Sequence, residues 1–503
     1  MRRCLIKIFL LSVVTAHSFF KLHAQQLTQS LNYLYAFDYE YKSALREEGI
    51  HSAFKPLLQS KTDTQLTRFK PRKRWIARKL FTENFIKIDT GDFYLTIDPL
   101  FNLQYYQFQD NTTGYLNGRG LRAQGHIGTR FSFYTDFFEN QAFFPDYLSR
   151  YVTSYGVVPG FGRVKPFKDN GFDYAMASGY ISYTPSNHFN FIFGHGKMFI
   201  GEGYRSMLIS DNAFNYPYLR TTAYAWKNKI QYSWVIAKLL NLNRLSYYNS
   251  AENPFIPKNM SLHYLSFKPN PYMEIGLFEN TIWQTWDSSG SKPFNFQWVN
   301  PLIGIDALTN TLTSANNTVL GLNYKINLLK GWVLYGQFVV DDDVQHAEGY
   351  QLGTKYLWKS GKNKVRFQYE FNKSYNGLYQ YGSNTNQNYW HYNQPLGFSL
   401  GSDVSEQIWA FTYQRQRLLF FVKQHFIQHQ GKDIYGNIEL GQMPGNVNFT
   451  EILAGYLINP ATNLTLEAGL VTRNSADINN MTDNQRIVQI KLKTEIFNQY
   501  FDF

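Results

Sequence analysis

From about residue 84 the chain alternates apolar and polar side chains with a period of two. Val365, Phe367, Tyr369 and Phe371 stand against Lys364, Arg366, Gln368 and Glu370. Near the end, Val488, Ile490, Leu492, Thr494 and Ile496 stand against Gln489, Lys491, Lys493 and Glu495. Such a period places one set on each face of a strand. Turn chemistry cuts the pattern into hairpins. Tyr174 to Tyr183 passes through Thr184-Pro185-Ser186-Asn187 into Phe189 to Phe193, and Leu262 to Phe267 through Lys268-Pro269-Asn270-Pro271 into Tyr272 to Phe278. Thr318 to Ile326 returns as Trp332 to Val340. Gly353 to Trp358 returns as Val365 to Phe371 after Ser360-Gly361-Lys362-Asn363, and Glu451 to Ile458 returns as Leu464 to Val471 after Asn459-Pro460. Longer polar and aromatic stretches lie between, at Asn280 to Asn300, Asn372 to Asp403 and His429 to Asn448. Short turns at one end and long loops at the other predict an all-β transmembrane antiparallel barrel of about 16–18 strands, long loops outward.

Residues 25–84 differ. Leu31, Leu34, Tyr35, Tyr41, Ala44 and Leu45 give a rough helical spacing that Asp38 interrupts, and Pro56 stops or restarts it. The spacing predicts a small, partly helical periplasmic segment ahead of a single barrel domain, 85–503. Residues 1–24 have the form of a signal peptide: Arg2, Arg3 and Lys7, an apolar core from Ile8 to Val14, and Leu22-His23-Ala24 before Gln25. The expected location is the cell outer membrane.

Composition agrees. Tyr and Phe number 38 and 42 of 503 residues, as the aromatic girdles of a membrane barrel require. No later apolar run reaches the roughly 20 residues of a spanning helix. The single cysteine, Cys4, precedes the apolar core, so it is not a lipoprotein acceptor, and the mature chain would have neither disulfides nor thiolate chemistry. The net charge of +12 loses four with Arg2, Arg3, Lys7 and Lys21 and seven more with Arg68, Lys70, Arg72, Lys73, Arg74, Arg78 and Lys79, which leaves +1. The basicity is therefore local. It suits lipid phosphates or an anionic polymer at a membrane surface, or a solvated loop; nucleic acid does not suit an exported barrel.

The densest signal is Gly194 to Leu219, GHGKMFIGEGYRSMLISDNAFNYPYL. It is not a nucleotide site: Phe199 stands where a dinucleotide fingerprint needs glycine, and Met198 follows Gly196-Lys197 where a P-loop needs Ser or Thr. A glycine-bent strand pair accounts for it as local structure. The stretch also resembles the glycine-rich Arg-Ser-Leu-Leu-Leu-Ser-Asn/Asp-Asn-Ala segment of the Wzi-type capsule-assembly outer-membrane proteins, and more closely that of their RemB-type relatives in gliding Gram-negative bacteria. The matching residues are Gly201, Gly203, Tyr204, Arg205, Ser206, Leu208, Ser210, Asp211, Asn212, Ala213, Pro217 and Tyr218. Further matches are His51 with Phe54-Lys55-Pro56, Ala315 to Leu322, Leu334 to Phe338 with Asp341-Asp342, and His391 to Gly397 with Leu400-Gly401. Phe398 stands where the family has histidine. The resemblance implies a non-enzymatic barrel that organises or attaches surface polysaccharide, or supports gliding, with bilayer, lipopolysaccharide and polysaccharide as partners and no cofactor. The terminal Tyr500-Phe501-Asp502-Phe503 resembles the signal read by the outer-membrane assembly machinery. Nothing in the sequence sets the oligomeric state.

Tyr375, Tyr379, Tyr381, Tyr389, Trp390 and Tyr392 crowd one long loop with Asn and Gln. Flat rings beside amides suit sugar faces and hydroxyls. They equally suit a loop folded into the lumen. Asp341-Asp342-Asp343 offers hard oxygen ligands or a solvated strand end; no metal site is assigned. His195, Ser206, Ser210 and Asp211 suggest a hydrolase, but no motif orders them as nucleophile, base and orienter. The alternatives are a small-solute pore and, more remotely, a membrane-embedded hydrolase. About 60 residues are too few for the plug domain of a gated nutrient transporter.

Overall fold

The computed structural model describes residues 27–46, 50–59, 72–245, 253–287, 289–313, 316–341, 347–375, 377–382, 385–431 and 444–503. Residues 1–24, read above as a signal peptide, and the Arg68 and Lys70 end of the basic cluster lie outside these residues. Among the described residues, eighteen long strands close an antiparallel barrel. They are β1 Phe93–Phe108, β2 Thr113–Ile127, β3 Phe131–Phe143, β4 Gly171–Ser186, β5 Phe189–Gly196, β6 Tyr216–Ala225, β7 Ile230–Arg244, β8 Phe255–Asn270 and β9 Met273–Gln284. The second half is β10 Asn317–Leu329, β11 Trp332–Asp341, β12 Glu348–Ser360, β13 Asn363–Ser374, β14 Val404–Arg415, β15 Leu418–His429, β16 Gly445–Asn459, β17 Leu464–Asp477 and β18 Thr482–Thr494. β18 pairs with β1 to close the ring.

All five hairpins read from the sequence are present. The alternation also has the expected sense. On β13 Arg366, Gln368, Glu370 and Asn372 are buried in the lumen, while Phe367 is exposed outside. Asn280 does not open a loop; β9 continues to Gln284. Both termini of the strand ring lie at the short-turn end, which is periplasmic in such barrels.

The lumen is filled. The N-terminal segment does not stand ahead of the barrel; it folds up into it. Helix α1, Phe37–Ala44, carries Glu40 to the wall, where Lys355 Nζ donates at 2.6 Å and Arg366 at 3.1 Å. His51 bridges Ser266 Oγ (2.7 Å) and the Asn228 carbonyl (2.8 Å), so it is structural. Phe54–Lys55 pairs with Phe199–Ile200 inside the lumen. The chain end also differs from expectation. After Thr494 it turns inward: Ile496 packs with Leu100 and Phe138, and Phe501 and Phe503 reach Tyr147. The terminal aromatics are lumenal packing, not the end of a membrane strand. The short strand Ile86–Asp89 extends the wall beside the start of β1.

The lumenal docking has a pH signature. Burial pushes the Glu40 carboxyl up, but Lys355 and Arg366 outweigh it and hold it at about 2, down from 4.5. A depressed carboxyl stabilises above its unfolded value and loses that contribution as pH falls through the folded one. Pepsin cleavage within residues 27–59 is therefore expected to be slow at pH 4.5 and to rise as pH falls towards 2. In Glu40→Gln that pH-dependent step is expected to disappear.

Candidate functional site

The glycine-rich stretch is not a bent strand pair. After β5 the chain leaves the wall, crosses the lumen as residues 197–215, and rejoins at Tyr216-Pro217 in β6. Two glycines make this crossing possible. Gly201 has φ +129°, a conformation side chains rarely adopt. At Gly203 a Cβ would lie 2.6 Å from the Glu370 carboxylate and 2.5 Å from the Arg205 carbonyl. Gly203→Ala is expected to cost about 1–3 kcal/mol through overpacking, read as a lower unfolding temperature of the purified barrel.

The wall's inward polar residues exist to hold this loop. Glu370 accepts the backbone N–H groups of Tyr204 (2.6 Å) and Arg205 (3.0 Å). Gln337 accepts from Met207 N–H at 2.7 Å and donates to the Ile200 carbonyl at 2.8 Å. Arg205 is fully buried; its guanidinium meets Glu406 and Asp502, each at 2.9 Å. Lys423 also pairs with Asp502, and His425 Nδ1 lies 2.7 Å from Glu406. Burial opposes charge on Asp502, yet Arg205 and Lys423 hold its carboxyl well below the usual range. Asp211 accepts from Tyr500 (2.7 Å) and Asn498 (2.9 Å), and burial pushes its carboxyl up. Ser206 Oγ donates to the Ile200 carbonyl at 2.5 Å, Ser210 N–H to Leu396 at 2.6 Å, and His195 Nδ1 faces the Ala177 carbonyl at 3.0 Å. These four residues form no nucleophile–base relay. The motif residues Gly201 to Asn212 are thus the knot where four lumenal segments meet.

The aromatic loop, residues 375–403, also enters the lumen. Tyr379 and Tyr389 are 0% exposed, stack at 5.5 Å, and donate to the Met207 (2.6 Å) and Leu208 (2.8 Å) carbonyls. Their faces are closed to a sugar. Tyr392 packs on Phe214 at 4.7 Å, and half-buried Tyr381 donates its N–H to Asn388. Phe398 is buried in the same core. Of the six aromatics singled out from the sequence, Trp390 alone lines a cavity open at the long-loop end.

That cavity holds about 530 Å³. Helix α3, Asp146–Tyr155, presents Tyr147, Tyr151 and Tyr155 to it at four-residue spacing, with the Tyr151 and Tyr155 rings 4.5 Å apart. Arg473, over the Tyr147 ring at 5.0 Å, Asp483, paired with Arg150 of α3, and Asn446 line it as well. Trp390, Asn212 and Ser399 also line it, while their Nε1, Oδ1 and Oγ atoms are buried and have no hydrogen-bond partner among the described residues. The Tyr147–Tyr151–Tyr155 stripe was legible as helical spacing, although the sequence reading passed over it.

A second cavity, about 680 Å³, opens at the periplasmic end. No described residue lines both. Lys197 lies between them; its ammonium donates to the carbonyls of Gly160 and of Asp211 (3.1 Å), and burial lowers it to about 8. Among the described residues no three His, Cys, Asp or Glu form a metal cluster. Asp342 and Asp343 lie outside the described residues.

A closed antiparallel barrel of eighteen long strands is the architecture of an outer-membrane β-barrel protein. The family model of the capsule assembly protein Wzi matches residues 107–481, and the chain belongs to that family. Among solved structures it is similar to Wzi of Escherichia coli, described as an outer membrane protein involved in group 1 capsule assembly and a carbohydrate-binding β-barrel. The TM-score is 0.58 at 14% identity, over 92% of this chain and 99% of that one. Fainter likenesses are to Pseudomonas aeruginosa OpdK with vanillate (TM-score 0.41, 10% identity, 79% of this chain and 98% of that one) and Acinetobacter baumannii OccAB2 (0.42, 12%, 79% and 97%). No curated protein matches the chain.

Proposed function

We propose that this protein attaches surface polysaccharide at the outer face of the outer membrane, without catalysing a reaction, in the manner of capsule assembly. One observation carries the reading: the outward cavity combines aromatic side chains on α3 and Trp390 with the polar side chains of Arg473, Asn446, Asp483 and Ser402. Sugar rings supply apolar faces and hydroxyls that match both. Family membership and the carbohydrate-binding description of the Escherichia coli relative support it. The filled lumen, with cavities that share no lining residue, argues against the pore. The exposed Trp75, Ile76 and Leu80 of helix α2, Trp75–Phe81, together with Arg72, Lys73 and Arg74 suit lipid phosphates. The bilayer and lipopolysaccharide complete the partners, and the leader and β18 are what export and assembly would use. The RemB-type resemblance of residues 51–56 extends the reading to polymer attachment that supports gliding. Saturable binding of host surface polysaccharide by detergent-purified protein tests the proposal, and single-channel conductance separates it from the pore.

A further inference from the structure

The outer surface of the wall is not apolar everywhere. On β9, Asn280 bonds Tyr389 inside the lumen, so Glu279 and Thr281 point outward by the period of two. On β8, Lys258 and Ser266 bond lumenal segments, so Ser261 and His263 also point outward. His263 stands opposite Glu279 in the ladder, near the middle of both strands. Polar groups at that depth would face hydrocarbon, where they are costly.

They are covered from outside. The chain leaving β9 turns back down the outer wall and lays helix α4, Ile305–Thr313, across it. Glu279 accepts N–H groups from Gly304 and from Ala307 (2.6 Å), so the wall caps the helix. Asp306, itself buried, accepts from Ser261 Oγ at 2.8 Å and lies 3.6 Å from His263 Nε2. Tyr232, outward on β7, donates to the Pro301 carbonyl at 2.6 Å. Asn310 donates to Thr318 on β10 at 3.0 Å. Each polar side chain of the row therefore has a partner on the covering segment or a neighbouring strand, His263 through Nδ1 to Tyr232 at 2.8 Å, while its Nε2 faces Asp306 without a hydrogen bond.

The face turned away from the wall is mainly apolar; its exposed polar side chains, Asn295 and Gln297, hydrogen-bond each other at 3.1 Å. Phe296 is 82% exposed, Leu302 61% and Leu308 62%, with Phe294 and Ile305 beside them. They continue the lipid-facing belt at exposed Leu277 on β9 and Leu322 on β10. Backbone outside the strands can lie at membrane depth only when its hydrogen bonds are satisfied by protein, and the row beneath supplies them.

We infer that residues 294–308 are seated in the outer leaflet, with lipid acyl chains as the partner of their apolar face. The segment is a lipid-bathed clasp on the wall rather than a loop standing in water. In a Cys4→Ser background, nitroxide labels at Phe296→Cys and Leu308→Cys, in protein reconstituted into phospholipid vesicles, test it. Leu277→Cys is the lipid control and Gln109→Cys, in an exposed extracellular turn, the aqueous one. The expected result is oxygen access like that at residue 277 and nickel-chelate access several-fold below that at residue 109. Nickel access equal to residue 109 would overturn the inference by placing the segment in water. Exclusion of both reagents would overturn it by showing protein, such as a second copy, on that face. If a labelled variant does not fold, unlabelled protein in brominated-acyl vesicles decides. The emission difference between wild type and Trp298→Phe, whose ring contacts Phe294 at 5.5 Å, should be quenched; an unquenched difference contradicts the inference.

Discussion

Arg205→Ala is expected to release the lumenal segments while leaving the barrel closed. The guanidinium is the sole cation of the crossing loop in the knot, and its removal leaves Glu406 and Asp502 with Lys423 and His425 as basic partners beside the neutral donors Asn372 and Tyr204. Glu370, a third buried acid, holds the adjacent backbone. Removing one partner of a buried ion cluster costs about 3–5 kcal/mol, because the remaining charges are left without water. That cost falls on docking of residues 197–215 and 495–503, since the strand ladder does not involve Arg205. The variant should still run as a folded, heat-modifiable barrel. It should conduct ions where wild type is nearly closed, and it should be cut by protease within the lumenal segments. Arg205→Lys should restore little, because one ammonium cannot reproduce the Nε and Nη2 contacts to Glu406 together with the contact to Asp502. Wild-type conductance and protease resistance in Arg205→Ala would show that the knot does not hold the plug.

The second large effect is expected at the outward cavity. Truncating a buried aromatic anchor at a binding site typically costs about 2 kcal/mol or more, roughly thirty-fold in affinity. Tyr151→Ala and Trp390→Ala should each weaken polysaccharide binding by about that much. Trp390→Phe should give a smaller loss, because an aromatic ring remains. Tyr392→Ala, whose ring packs on Phe214 away from the cavity, should bind as wild type does.

The wall was legible because lipid and lumen impose opposite chemistry on alternate residues, and β13 shows this residue by residue. The contents of the lumen were not. Inward polar residues announce that something polar lies inside, but the partners are remote in sequence: Glu40 meets Lys355, and Arg205 meets Asp502. No local spacing encodes such pairs. The glycine-rich stretch was recognisable as a motif, yet the need for Gly203 lies in the closeness of Glu370, which only the folded chain reveals. Tyr379 and Tyr389 misled for a related reason: a ring beside amides fits a sugar and fits a buried rivet equally, and their hydroxyls are spent on backbone carbonyls. The clasp left one trace. Leu277-Phe278-Glu279-Asn280-Thr281 places polar groups on both registers of a strand, a break in alternation that marks a covered patch on the outer wall. The chain end was read correctly through Thr494 and wrongly beyond it, because apolar side chains suit a lumenal core as well as a membrane.

Polysaccharide attachment through the outward cavity is tested most directly by titrating detergent-purified protein with surface polysaccharide from its own host, comparing wild type, Tyr151→Ala and Tyr392→Ala. Saturable binding that falls about thirty-fold in Tyr151→Ala and is unchanged in Tyr392→Ala is the expected result. Absence of binding by wild type, or equal binding by all three proteins, would contradict it.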